Sequence, residues 1–344
     1  MLISAFIIHK KAESFNDCQD RFSVNPDTKS IAVSDGLSQS IFQKIWASQL
    51  VQAYTDKVDW VPTPESVKEL APLWKAKVEN FIKTEEANGK NPWRAKNSLA
   101  ENRSAGATIL GIRFQDQHWT YDVLGDSCLI LIKNNHIEEI ISSESTESFD
   151  NYPDYYDSNP KIVGKGRLKT DTRLWEDGET ILLVSDPFSD FLAKNRGTNN
   201  EIKLVERILS INNHNEFENL VDEWRELGMH NDDSTLIIVK QDGSSEFHFE
   251  PYCIDNIAHL SQDESIRTAT ESRNKTIVSS TSKTNDALDR EQLKNCLLKF
   301  FQEFFFEKNP GSLKGKKQMR HKLIKKLTYE IIDFLKTDGK ANNN

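Results

Sequence analysis

The sequence predicts an α+β fold: an α-β-β-α sandwich of two mainly antiparallel sheets flanked by helices, plus a C-terminal helical hairpin. Three observations point there. Strands and helices come in blocks, in the order β, α, β-meander, β, α, β, where a doubly wound parallel sheet would alternate strand and helix regularly. Several apolar runs stop abruptly on aspartate, as in IAVSDG (31–36) and ILLVSDP (181–187). Finally, a Ser/Thr-rich charged stretch separates these blocks from two apolar, helix-patterned segments near the C-terminus.

Each element has its own local reason. LISAFIIHK (2–10), RFSVN (21–25) and KSIAVSD (29–35) read as short strands, the last two joined into a hairpin by NPDT (25–28), whose residues suit a turn. Ile41, Ile45, Leu50 and Tyr54 fall near one face of a helix running to about Lys57, and PTPESVKELAPLWKAKVENFI (62–82) opens a second helix with Pro and Ser at its start. ATILGIRF (107–114), HWTYDVLGD (118–126), CLILIKN (128–134) and HIEEIIS (136–142) follow as a meander. Residues 142–160 are polar and without period, hence a loop or small flap. WEDGETILLVSD then supplies a turn and a strand. Helical patterns at 201–211 and 215–227 precede a last strand, STLIIVK (234–240). Trp46, Trp60 and Trp74 lie on or beside the early helices as packing residues.

Composition narrows the class of function. The 344 residues, 37% of them hydrophobic, suffice for one large domain and an appendage. No run of eighteen apolar residues occurs, and the charges of MLISAFIIHKK follow its apolar run, the reverse of a signal peptide, so a cytoplasmic protein is expected. Cys18, Cys128, Cys253 and Cys296 are scattered and suggest reduced thiols, Cys18 being a small buried hydrophobe, not a zinc or disulfide framework. The net charge of −9 disfavours nucleic acid as a partner. From Lys308 onward, however, ten Lys or Arg face three acidic residues, roughly +7, leaving roughly −16 on the rest.

The expected organisation is a catalytic domain at 1–257, a flexible linker at 258–288 whose composition cannot bury enough surface to order itself, and a helical hairpin with a basic face at 289–344. The hairpin carries Phe300, Phe301, Phe304, Phe305 and Phe306, more apolar surface than one narrow stripe, and would dock on a protein partner or on its own acidic domain.

The chemistry lies in acidic residues at strand ends: Asp20, Asp35, Asp126, Asp186, and Asp232 with Asp233. Singly each is an ordinary turn residue. Together, at one end of a sandwich, they would form an oxygen-rich site for a hard cation such as Mg²⁺ or Mn²⁺. In order, His9, Cys18-Gln19-Asp20, Asp35-Gly36, Gly106-Ala107-Thr108, Gly125-Asp126-Ser127, Ser185-Asp186 and Asp232-Asp233-Ser234-Thr235 resemble the motifs of metal-dependent phosphatases of the protein phosphatase 2C family, particularly a bacterial subgroup. The resemblance spans about residues 2–242.

That resemblance implies a cytoplasmic metal-dependent Ser/Thr phosphoprotein phosphatase, a hydrolase of bacterial signalling, using two Mn²⁺ or Mg²⁺ ions and a weaker third. Asp35 would bridge the two ions, Gly36 would offer its carbonyl, and Asp186 and Asp232 would be terminal ligands. Asp20 would hold a metal-bound water, and Asp126 would serve the third ion. A phosphorylated protein would be the substrate and a cognate Ser/Thr kinase its source. His9 or Lys10 would meet the phosphate, since no arginine stands in register with the family's phosphate-binding one. Two departures are visible: Ser-Asp-Gly becomes Ser-Asp-Pro at Pro187, and the glycines usual after Asp-Gly become Leu37-Ser38-Gln39. They motivate a second reading, a catalytically weak or inactive pseudophosphatase acting as a regulatory or binding module. A third makes the tail the active agent of a nucleic-acid-linked adaptor.

Overall fold

A computed structural model describes residues 1–144, 153–243 and 246–253. The chain opens with β1 (Leu2–Ile8), β2 (Arg21–Asn25) and β3 (Ser30–Ser34), then runs through α1 (Gln43–Asp56), α2 (Pro64–Lys68), α3 (Ala71–Ala87) and α4 (Trp93–Ala100). Next come β4 (Gly106–Ala107), β5 (Ile109–Gln115), β6 (His118–Leu124), β7 (Cys128–Lys133), β8 (His136–Ile141), β9 (Tyr155–Asp157), β10 (Gly164–Lys165), β11 (Lys169–Leu174) and β12 (Thr180–Val184). The series closes with α5 (Asp186–Asn195), α6 (Glu201–Leu209), α7 (His214–Glu226), β13 (Ser234–Lys240) and β14 (His248–Cys253). The expected linker at 258–288 and helical hairpin at 289–344 lie outside the described residues.

A six-stranded sheet has the order β14-β1-β13-β12-β7-β8 and a five-stranded sheet the order β11-β6-β5-β3-β2, while β10-β9-β4 form a small third sheet. Pairing is antiparallel except between β1 and β14. Strand periodicity builds the layers. Ile181 and Leu183 of β12 point into the core between the large sheets, with Ile3, Ile31, Val33, Leu110, Ile112 and Ile237. The alternate residues Leu182 and Val184 face outward into a second core with Phe188, Phe217, Leu220 and Trp224 of α5 and α7. Because both faces of β12 are covered, ILLV is apolar throughout instead of alternating. A third core, with Trp46, Leu50, Tyr54, Trp60 and Trp74, packs α1 to α3 on the outer face of the five-stranded sheet. All three tryptophans are buried, as expected of core residues, and the indole N–H of Trp46 donates to the Tyr156 carbonyl at 2.9 Å. The four layers are those of the α-β-β-α sandwich.

Several expectations change in detail. The meander is two hairpins in different sheets: β5–β6 belongs to the five-stranded sheet and β7–β8 to the six-stranded one. The turn 125–127 therefore crosses from one layer to the other. Gly125 makes the crossing at φ +112°, where a Cβ would also stand 2.6 Å from the Thr108 side chain. The second helix is split into α2 and α3, and α4, α5, β9, β10, β11 and β14 are additional elements, β9 lying within residues 142–160, expected as a loop or small flap. Helix α2 is capped by the Thr63 side chain, which accepts from the Ser66 N–H at 3.3 Å.

Candidate active site

Asp35 follows β3 directly, and the preceding apolar run explains why it stops there: Ile31 to Ser34 are fully buried, so the first ionisable residue falls at the rim. Its position is held by the motif at 106–108. The Asp35 N–H donates to Thr108 Oγ1 at 3.0 Å, the Thr108 N–H donates to the Asp35 carbonyl at 2.9 Å, and the Leu37 N–H donates to the Gly106 carbonyl at 2.9 Å. Gly36 forms an isolated bridge with Ala107. A Cβ at Gly36 would lie 2.9 Å from the Gln43 side chain, so a larger residue would push this turn off the first turn of α1.

A second set of bonds joins β12 to β13. The Thr235 N–H donates to Ser185 Oγ at 2.9 Å and the Ser185 N–H to the Thr235 carbonyl at 3.1 Å. Thr235 Oγ1 also donates to Asp20 Oδ2 at 2.7 Å. Asp186 is the first residue of α5, next to the cap residue Ser185, and Pro187 occupies the first helical turn. There the missing N–H would have had no intrahelical partner and the fixed φ suits the helix, so Ser-Asp-Pro is a helix start. The carboxylate of Asp186 also lies at the positive end of α5.

Asp232 and Asp233 precede β13 and behave differently. Asp233 is buried; its Oδ1 accepts the Lys10 N–H at 2.9 Å and its Oδ2 the Gln19 N–H at 2.7 Å, tying together the end of β1 and the approach to β2. Asp232 is half-exposed, and its Oδ1 accepts from Lys10 Nζ at 2.9 Å and from the Asp233 N–H at 2.8 Å. Lys10 thus reaches the cluster as the partner of Asp232. His9 Nδ1 lies 2.9 Å from the Lys10 carbonyl, which makes it the protonated ring nitrogen.

The carboxyl groups feel one another. Burial, then the charge of Asp233, pushes Asp20 up to about 7. Burial, then the charge of Glu144, pushes Asp126 up to about 7. Asp35 is raised well above the usual carboxylate range by burial and by the charges of Asp20, Asp186 and Asp126, and its carboxyl lies within hydrogen-bonding reach of Asp20. Asp186 is raised likewise by burial and by Asp126, Asp20, Asp232 and Asp233. Asp35 and Asp186 keep partly exposed edges, but the surrounding protein strips enough water from them to penalise the charge.

Among the described residues no three His, Cys, Asp or Glu side chains already converge as ligands on one point. The donor set nevertheless suits a hard divalent cation: acidic oxygens from five chain segments, in an environment that disfavours their charge until a counter-charge arrives. Asp20 Oδ1 and Asp126 Oδ1 are buried without a hydrogen-bond donor, the condition that a cation or its water would relieve. A cleft of about 570 Å³ between α5, α6 and α7, lined by Phe191, Leu204 and Trp224, contains none of these carboxylates.

The structure thus brings Asp20, Asp35, Asp126, Asp186, Asp232 and Asp233 into one electrostatic neighbourhood. Three supporting roles were not assigned from sequence: Thr108 holds the Asp35 backbone, Thr235 holds Asp20, and Asp233 clamps two loops. All three belong to the quoted motifs, and a hydroxyl or second acid beside a rim aspartate is the signal that could have found them. Glu144, which acts on Asp126 by charge, stands in a polar stretch with no such signal.

A family model described as Protein phosphatase 2C matches residues 10–224. Similar solved structures include the photosystem II phosphatase PBCP, with 17% identity over 70% of this chain and 99% of that one at a TM-score of 0.44. A serine/threonine phosphatase of S. agalactiae has 12% identity over 70% and 99% of the two chains at a TM-score of 0.44. The catalytic domain of the serine/threonine phosphatase PstP, solved with two manganese ions, has 14% identity over 69% and 96% at a TM-score of 0.41. Comparison with curated protein sequences finds no match.

Proposed function

The chain belongs to the protein phosphatase 2C family, and from that premise we propose that it is an active, metal-dependent Ser/Thr phosphoprotein phosphatase. The observation that carries the reading is the gathering of Asp20, Asp35, Asp126 and Asp186 in one neighbourhood, where burial first and nearby acidic charge second raise all four, while backbone and hydroxyl contacts hold Asp20, the Asp35 turn and the Ser185 beside Asp186 in place. A fold that maintains such repulsion is arranged around a counter-charge.

Asp35, the Gly36 carbonyl, Asp186 and Asp232 would hold two Mn²⁺ or Mg²⁺ ions, and Asp126 a third. When bound, these ions supply acidified water for attack on phosphorus and neutralise charge on the phosphoryl oxygens. The protein's own contribution is orientation. Thr108 and Gly106 fix the Asp35 turn, Ser185 and Thr235 fix the spacing of Asp186 from Asp232, and Asp20, with its Oδ1 lacking a donor, is placed to accept a proton from water in the site. The substrate class is a phosphorylated Ser or Thr side chain in a protein.

Pro187 fits the active reading better than a pseudophosphatase, because at the start of α5 it leaves the Asp186 carboxylate unobstructed by any lost hydrogen bond. Hydrolysis of p-nitrophenyl phosphate and a phosphothreonine peptide by full-length protein, with and without Mn²⁺, tests it. Activity should require the metal, vanish in EDTA, and fall at least about a hundredfold in Asp35→Asn and in Asp186→Asn. Activity that survives EDTA or both substitutions would exclude this mechanism.

A further inference from the structure

We propose that Lys10 is a built-in counter-ion of Asp232 that competes with the divalent cation for this carboxylate and so sets the metal affinity of the site. The inference rests on the reading of the carboxylate cluster as a metal site and adds a residue that the reading does not require.

Lys10 and Lys11 are adjacent but differently placed. The Lys11 side chain is 63% exposed and its ammonium lies 3.6 Å from Asp222 on α7. The Lys10 side chain is 19% exposed and its ammonium lies 2.9 Å from Asp232 Oδ1. Three further bonds pin the pair. The Lys10 N–H is held by Asp233 Oδ1 at 2.9 Å. One Arg225 nitrogen, Nη2, donates to the Asp232 carbonyl at 2.8 Å and to the His9 carbonyl at 3.3 Å, clipping the end of β1 to the start of β13. These bonds fix the backbones on either side of the pair, and the largely buried Lys10 side chain has less freedom to lose than a lysine on the open surface.

The consequence is electrostatic. Asp232 Oδ1 already accepts the ammonium and the Asp233 N–H. A divalent cation approaching Asp232 through Oδ1 must displace the ammonium; one approaching through Oδ2 faces it across a single carboxylate, with like charges opposed. Without metal, the same ammonium offsets the repulsion that Asp232 and Asp233 exert on Asp186. Lys10 therefore stabilises the metal-free protein and weakens its hold on metal, two effects of one charge.

The test is calorimetric titration of Mn²⁺ into full-length protein at pH 7.5, for wild type, Lys10→Met, Asp232→Asn and the double variant. Lys10→Met should bind Mn²⁺ about three- to tenfold more tightly, and its metal-free melting midpoint should be lower. In the Asp232→Asn background the Lys10→Met change should alter affinity by less than about twofold, because the two residues act as a pair. Unchanged or weaker binding by Lys10→Met overturns the inference, and so does equal tightening in both backgrounds, which would mean general charge and not this pair. No Mn²⁺ binding by wild type at millimolar concentration instead removes the metal-site reading itself, a separate result. Should Lys10→Met fail to fold, Lys10→Gln carries the same expectations.

Discussion

The Thr235 hydroxyl donates to Asp20 Oδ2 at 2.7 Å, joining a residue of β13 in the six-stranded sheet to the carboxylate that precedes β2 in the five-stranded sheet. Both side chains are fully buried. One bond across the two layers thus sets where Asp20 sits relative to Asp35 and Asp186.

Thr235→Val removes this donor from a buried carboxylate. The expected cost is about 1–3 kcal/mol in urea unfolding at pH 8, where Asp20 is ionised, and less at pH 5.5, where it is protonated, since the bond favours the charged form. Thr235→Ser should retain most of the stability. Equal losses at both pH values would contradict the bond as described.

Stability in EDTA should fall as pH rises. Asp20 and Asp126 titrate at about 7 in the folded chain, against roughly 4 when unfolded. Between these values the native state binds more protons than the unfolded one, so low pH favours the fold and the advantage is lost as pH climbs through 7. Each group taken alone corresponds to about 4 kcal/mol at most. Urea midpoints measured from pH 5 to 8 should therefore decline, and saturating Mn²⁺ should flatten the decline by supplying the missing positive charge.

Pro187→Ala should leave Mn²⁺ affinity within about twofold and cost roughly 0.4–1 kcal/mol of stability, because a proline in the first helical turn restricts the unfolded chain without losing a native hydrogen bond. A gain in activity or metal affinity of tenfold or more would instead mean that the proline impairs the site.

Asp233→Ala frees the Lys10 and Gln19 N–H groups at once. The expected loss is on the order of 2 kcal/mol, with Asp233→Asn intermediate because one acceptor oxygen remains. Thermal melting of the metal-free protein checks the order: wild type above Asn above Ala.

Much of the layer plan was legible. An apolar run such as ILLV with no polar alternation requires cover on both faces, and an aspartate at its end must lie at a rim. The assignment of strands to sheets was not legible, because the period of two in HWTYDVLGD and CLILIKN is the same whether the strands pair with each other or lie in opposite layers. The helix beginning at Asp186 was hidden by the strand that runs almost directly into it, so Pro187 reads as a disturbance in sequence and as a helix start in space. Asp232 and Asp233 carry the same side chain, and their different burial and partners could not be read from their order in the chain. One faces solvent and an ammonium, while the other is a buried acceptor of two backbone N–H groups.

What the sequence determined by itself is the chemistry: which residues can carry negative charge, that they stand at the ends of strands, and that they occur in an order resembling a known phosphatase family. Local pattern suffices for this because hydrophobicity decides burial and turn residues decide where strands stop. What only the tertiary structure decided is partnership. Lys10 and Asp232 are separated by more than two hundred residues in the chain, as are Asp20 and Thr235, yet lie within hydrogen-bond distance. Such pairs are set by how the sheets stack and which strands become neighbours, and no local propensity encodes that long-range choice.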